Sequence, residues 1–154
     1  MEHSWDGIER RESEPPAHHP ALAGRRELQA SLDALLNNTP YLVWLKDREG
    51  RFIAASQALV GDAGKRHLSE ILGKTDFDLF PEDLARRHRA EDAETMATRS
   101  RLRIEAEEPY FGQTRWMDTY KSPIVDDRGE LLGTAGFSRD VSEKIGRAAG
   151  RERV

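Results

Sequence analysis

The sequence predicts an α+β fold. The expected form is a five-stranded antiparallel sheet with short helices and one longer helix on one face, preceded by a flanking amphipathic helix. Three observations predict it. A strand–turn–strand pattern comes early, at 41–56. Three strand-like segments fill the last third of the chain. The helical segments lie between these two groups instead of alternating with strands, which disfavours a parallel sheet.

The elements follow in order. Residues 1–24 hold three of the seven prolines and three of the five histidines and show no apolar period, so they read as a disordered tail. His18 and His19 are adjacent there, but ordering a flexible tail around a metal costs entropy. The segment 25–39 is an amphipathic helix: Leu28, Leu32, Leu35 and Leu36 form one stripe. Asn37, Asn38 and Pro40 stop it. "YLVWLKD" and "RFIAAS" flank the turn-like Asp47-Arg48-Glu49-Gly50 and read as a hairpin. Short helices and loops fill 57–76, around Gly61, Gly64 and Gly73.

Phe77 to about Arg99 reads as one helix, with Pro81 in the first turn and Glu82 and Asp83 complementing the dipole. Strands follow at 101–107, 114–122 and 130–140, with Pro123 at a strand end or an edge. Asp140 to Glu143 has the form of a capping box that opens a new helix.

Composition narrows the function. The net charge is −4 and charged residues make up 34% of the chain, so no basic field points to nucleic acid, and no nucleic-acid partner is expected. The absence of cysteine excludes disulfides, thiolate catalysis and zinc–thiolate or iron–sulfur sites. No apolar run approaches the ~20 residues that span a bilayer, and the N-terminus lacks a leader's apolar stretch, so a cytoplasmic protein with no membrane segment is expected.

Four phrases then carry a family resemblance: "VWLKDREGRF" (43–52), "GKTDFDLFPEDLA" (73–85), "RWMDTYKSPIVDDRGELLGT" (115–134) and "GFSRDVSEK" (136–144). In this order, with these gaps, they resemble the PAS domain, the sensory box of bacterial signalling proteins. The resemblance covers 40–144 and leaves 145–154 as a tail or the start of an output linker helix. It implies a sheet cradling short helices around a small pocket. It also implies signal transfer at Asp140, Ser142 and Glu143, where the family closes its last strand with an Asp-Ile-Thr phrase. The helix with Leu28, Leu32, Leu35 and Leu36 sits where many members dimerise, so a homodimer is expected. The family often carries asparagine after the second strand and an aromatic three residues later; this chain has Ser56 and Leu59.

The implied pocket draws on Trp44, Ser56, Phe77, Phe80, Trp116 and Tyr120, each of which a plain core would also use. No cofactor is required, and a chain without cysteine excludes covalent flavin photochemistry. Haem sensors of this fold hold a proximal histidine on the long helix, which His88 would supply. With Leu84 at 0° on the helical wheel, however, Ala85, Met96, Ala93, Ala97 and Ala90 define an apolar arc centred near roughly 170°, and His88 falls near roughly 40°. On that wheel His88 faces solvent among acids and Thr95, with Asp92 as its hydrogen-bond partner, and haem is the weaker alternative. Metal ligands are otherwise none. The carboxylates Asp76 and Asp78 read as helix caps, Asp118 stands alone on a strand, and no enzymatic motif is present.

The expected function is a sensory or interaction domain of a bacterial signal-transduction protein. It would couple a small ligand, or dimer packing, to an output domain such as the histidine kinase of a two-component system or a GGDEF diguanylate cyclase. The alternatives are a haem-binding gas or redox sensor and a ligand-free dimerisation module. A cavity well below the ~300 Å³ of typical ligand sites would count against the ligand-sensing form.

Overall fold

The computed structural model describes residues 24–145. The N-terminal tail with His18 and His19, and residues 146–154, lie outside the described residues. The chain divides into two compact units, one up to Ala34 and one from Leu35 onward. Helix α1 (Arg25–Asn38) carries the leucine stripe. Leu28 and Leu35 are exposed, Leu32 is half-buried and Leu36 is buried.

The second unit is built on five strands: β1 (Leu42–Asp47), β2 (Phe52–Ala55), β3 (Leu102–Tyr110), β4 (Gln113–Val125) and β5 (Leu131–Asp140). They form one antiparallel sheet in the order β2-β1-β5-β4-β3. Between β2 and β3 come α2 (Gln57–Asp62), a 3-10 turn at Leu68–Glu70, α3 (Asp76–Leu79) and α4 (Glu82–Thr98). Among the described residues no helix is long and apolar enough to cross a membrane.

Local chemistry sets these boundaries. Asp47 Oδ1 accepts from the Glu49 and Arg51 amides, and Gly50 takes φ 82°, so the β1–β2 turn closes where the sequence places it. Pro123 lies inside β4, but past Lys121, the last residue of β4 paired with β3. At that point β4 is an edge on its β3 side, where proline is tolerated.

The single helix expected from Phe77 to Arg99 is two. Phe80 is extended (φ −129°, ψ 161°) and separates α3 from α4, because the residue before a proline is forced out of the helical region. Pro81 is then the N-cap of α4, just outside it. Thr75 and Asp78 form the capping box that starts α3, and the Thr75 amide donates to Asp78 Oδ2 at 2.9 Å.

A core of Trp44, Phe52, Ala55, Leu59, Val60 and Ile71 packs between the sheet and α2. The α4 wheel is inverted relative to the sequence expectation. Its buried residues are Leu84, Ala85, Asp92 and Thr95, and His88 lies among them, while Ala90, Ala93 and Ala97 face solvent. Alanine has little surface to gain from burial. The polar face instead finds buried cations on the sheet, and those contacts outweigh the weak apolar arc.

A polar cavity between the sheet and the helices

Alternation along the strands aims Leu42, Trp44 and Lys46 of β1, Arg115, Thr119 and Lys121 of β4, and Ser138 of β5 toward the helices. Asp62 from α2, Asp76 from α3, Phe80, and Leu84 and His88 from α4 face them, together with Glu108 of β3. These side chains line a cavity of about 40 Å³.

Ion pairs dominate its walls. Lys46 Nζ donates to Asp76 Oδ2 at 2.6 Å and to Asp92 Oδ2 at 2.8 Å, and all three side chains are buried. Lys121 Nζ donates to Asp92 Oδ1 at 2.8 Å and to the His88 carbonyl at 3.2 Å, and stands 3.0 Å from Glu91 Oε2. Arg115 makes a two-pronged pair with Asp62, at 2.5 and 2.9 Å. Buried carboxylates therefore have cations to hold them, without which their desolvation would be prohibitive.

His88 is the centre of this arrangement. Nδ1 lies 3.3 Å from Asp76 Oδ1 and Nε2 lies 3.1 Å from Glu108 Oε1. Ionised carboxylates only accept, so a ring that bonds to both must donate from both nitrogens, and the pairing favours the imidazolium. Burial alone would lower the His88 pKa, but the bonds to Asp76 and Glu108 outweigh it and raise it above the ordinary value. Burial would likewise raise Asp76, yet His88 and Lys46 hold it down at about 2. Glu108 is also lowered, as His88, Arg87 and Arg115 outweigh its burial.

This corrects several expectations. His88 is not a solvated residue bonded to Asp92; its partners are Asp76 and Glu108, and Asp92 belongs to Lys46 and Lys121. Asp76 is not a helix cap but the buried acceptor of Lys46. For the haem alternative, an axial ligand needs a free ring nitrogen, whereas both nitrogens of His88 are engaged here, beside a cavity of about 40 Å³.

Of the expected pocket residues, Trp44 and Phe80 line the cavity. Ser56 is fully buried behind it as the N-cap of α2: its hydroxyl donates to the Tyr41 carbonyl at 2.9 Å and accepts from the Val43 and Leu59 amides. That is the work found at the position where the family often has asparagine. Phe77 is 51% exposed and Trp116 37%, and neither lines the cavity. Tyr120 sits on the opposite face of the sheet, stacked on Phe137 at 4.8 Å between ring centroids.

The charged lining, Lys46, Asp62, Asp76, Glu108, Arg115 and Lys121, was missed by a search for aromatics. One signal was present: Lys46 and Lys121 each occupy the inward phase of a strand, where a lysine is affordable only with a buried partner. Asp118 faces outward, clamped by Arg103 at 3.0 Å and Arg139 at 3.2 Å.

At the far end of β5, the Val141 amide donates to the Trp116 carbonyl at 2.8 Å, and the Trp116 amide donates to Ser142 Oγ at 2.8 Å. Asp140 Oδ1 accepts from the Ser142 amide at 2.9 Å. The predicted transfer residues Asp140 and Ser142 thus tie the chain leaving the sheet to β4, and helical residues begin at Ser142, with Glu143 in that turn.

No curated protein sequence matches the chain. Among solved structures, the phage VqmA–DPO complex is 25% identical with a TM-score of 0.67, over 83% of this chain and 59% of that one. The PAS domain of Bordetella pertussis BvgS is 24% identical with a TM-score of 0.66, over 82% of this chain and 95% of that one. A Vibrio cholerae VqmA–ligand–DNA complex is 22% identical with a TM-score of 0.65, over 81% of this chain and 58% of that one. The chain thus spans less than two thirds of the VqmA chains.

The VqmA complex with DNA overturns the expectation of no nucleic-acid partner. A net charge reports only the field of the residues counted, and a domain of this fold occurs in a chain whose structure was solved with DNA. The family model for the PAS fold matches residues 36–145, most of the chain and the whole of the sheet and its helices. With that match and the strand order above, the chain belongs to the PAS-fold family, whose domains are sensory and interaction modules.

Proposed function

We propose that this domain is the sensory part of a cytoplasmic signal-transduction protein and that a small polar ligand seats in the cavity between the sheet and α4. The observation that carries the reading is the buried lining of Lys46, Asp76, His88, Glu108 and Arg115 around that cavity. An apolar filling of the same volume would generally be at least as stable, so a polar lining favours a site over a simple core. The complexes of VqmA with DPO support it by similarity of fold. Occupancy would alter the α4–sheet contacts and, through β4 and β5, the tie at Asp140 and Ser142. An output segment then reads the change; a DNA-binding output, as in VqmA, is as compatible with this scheme as a histidine kinase or a diguanylate cyclase. The domain would perform no chemistry itself.

A second reading has one observation in its favour. About 40 Å³ is far below the ~300 Å³ of sites for drug-sized ligands. In this reading the ion pairs fill the pocket, and dimerisation through the stripe Leu28, Leu32, Leu35 and Leu36 carries the signal. Native mass spectrometry of the purified protein separates the two. A retained mass that denaturation releases supports the sensor. A ligand-free dimer, with no retained mass from any growth condition, overturns it in favour of the interaction module.

A further inference from the structure

The hydrogen bonds of the cavity wall are unequally spent. Trp44 is 7% exposed and lines the cavity, yet its indole N–H has no acceptor among the described residues. Its ring is held over Gly136 of β5, where an added Cβ would lie 2.5 Å from Cζ2 and 3.0 Å from Nε1. Gly136 therefore makes room for the indole against the sheet wall.

Next along the same wall, Thr119 Oγ1 and Ser138 Oγ lie 2.6 Å apart, both buried and both lining the cavity. Two hydroxyls carry two protons, and one bond between them uses one. The other proton has no acceptor among the described residues. Lys46 spends two of its three protons on Asp76 and Asp92. Buried donors are normally paired, and each unspent one carries a desolvation cost.

Acceptors on the wall are in the opposite condition. Both oxygens of Asp76 and of Asp62 already accept, as does Glu108 Oε1. Glu108 Oε2 is the exception, 3.8 Å from Arg115 Nη2. Each charge on the wall has an opposite charge beside it, so no net charge waits for a counter-ion. At roughly 10–15 Å³ per water, a cavity of about 40 Å³ accepts about three waters, or a molecule of about three non-hydrogen atoms.

We infer that the cavity takes a small uncharged molecule rich in hydrogen-bond acceptors, bound by the Trp44 indole N–H and the proton left over by the Thr119–Ser138 hydroxyl pair. The inference rests on the sensory reading above and names the class of its ligand. It calls first for acceptors, and Glu108 Oε2 is the wall oxygen most open to a donor. An aliphatic hydrocarbon, a carboxylic acid or an amine would leave those donors unpaired or bring an unbalanced charge.

The test uses dimethyl ether and propane as probes, matched in shape and differing in the ether oxygen. Each is titrated into the intact chain and followed by ¹H–¹⁵N spectroscopy, through the Trp44 indole N–H and the backbone amides of β1, β4 and β5. Dimethyl ether is expected to move the indole resonance downfield in a saturable way, and propane to leave it unmoved. Trp44→Phe, and separately the double variant Thr119→Val with Ser138→Ala, should each weaken dimethyl ether about fivefold to tenfold as read from the backbone amides, the worth of one neutral hydrogen bond. The rest of the amide spectrum reports that the variants remain folded. Equal response to the two probes, or dimethyl ether binding unchanged by either variant, overturns the inference. If neither probe binds while native mass spectrometry retains another mass, the ligand class is wrong and the sensory reading stands. If no mass is retained either, both fall.

Discussion

Lys46 Nζ lies 2.6 Å from Asp76 Oδ2 with both side chains withdrawn from solvent, and this contact joins β1 to the first turn of α3 across the middle of the domain. Removing the cation leaves Asp76 with His88 alone and Asp92 with Lys121 as its hydrogen-bond donor. Lys46→Met is expected to destabilise the domain by about 3–5 kcal/mol, the usual cost of breaking a buried pair from one side. Adding Asp76→Asn should recover part of that loss, since a buried charge then disappears with its partner. Urea unfolding of the two variants measures it. A loss below about 1 kcal/mol for Lys46→Met would show that water reaches the pair.

His88 predicts a pH dependence with a defined sign. Its folded pKa is raised, so the stability it adds is fully present below the unfolded value of about 6.5 and is lost as pH rises through the folded value. The groups facing it are Asp76 and Glu108, which favour the imidazolium, and Lys121, which opposes it, with Lys46 bound to Asp76 and with Arg87 and Arg115 beside Glu108. Unfolding free energy measured from pH 6 upward should decline in the wild type, and that decline should be absent in His88→Gln. An imidazole resonance of His88 that titrates below 6.5 would contradict the assignment.

Asp76 sets the acid limb. Held down at about 2, it contributes stability above the unfolded carboxylate value of about 3.9 that is lost as pH falls toward 2. The contribution is on the order of 2 kcal/mol. Acid unfolding of Asp76→Asn should start from a lower plateau and show a shallower slope between pH 4 and 2 than the wild type.

Ser56 holds the junction of β2 and α2 through one hydroxyl that serves Tyr41, Val43 and Leu59. Ser56→Ala leaves those groups buried without it and removes the α2 cap. The expected loss is about 2 kcal/mol, combining a cap and an unsatisfied buried group. Ser56→Asn offers an acceptor and two donors in a larger volume, and its thermal midpoint relative to Ser56→Ala tells whether hydrogen bonding or fit dominates. If the alanine variant melts like the wild type, the hydroxyl has no structural role.

Ser142 ties the chain leaving β5 to Trp116. Ser142→Ala should cost global stability little, about 0.5–1 kcal/mol. It should, however, raise amide hydrogen exchange at Trp116 and Ile145 while leaving the β1–β5 pairs unchanged. Unaltered exchange at both amides would count against a hand-over at this point.

Much of the architecture was legible because it depends on short-range chemistry. The Asp47–Gly50 turn, the Thr75–Asp78 box and the alternating strands are each decided within a few residues of chain. Phe80 shows the same rule overlooked: the proline after it breaks the long helix, and that is a property of two adjacent residues.

The site belongs to the other kind of question. Composition and pattern by themselves determined the strand set, the helices between them, the closing Asp140-Val141-Ser142 phrase and the absence of thiol chemistry. Only the tertiary structure decided which face of α4 is buried. The wheel weighs side chains by apolarity alone, and four alanines outvoted one histidine. In the fold, Lys46 and Lys121 come from strands 46 and 29 residues away from Asp92, and their demand for carboxylates turns the polar face inward. The energy of a charge in a protein depends on its distance from its partner and from water. That distance is a property of the packed chain, and no window of the sequence contains it.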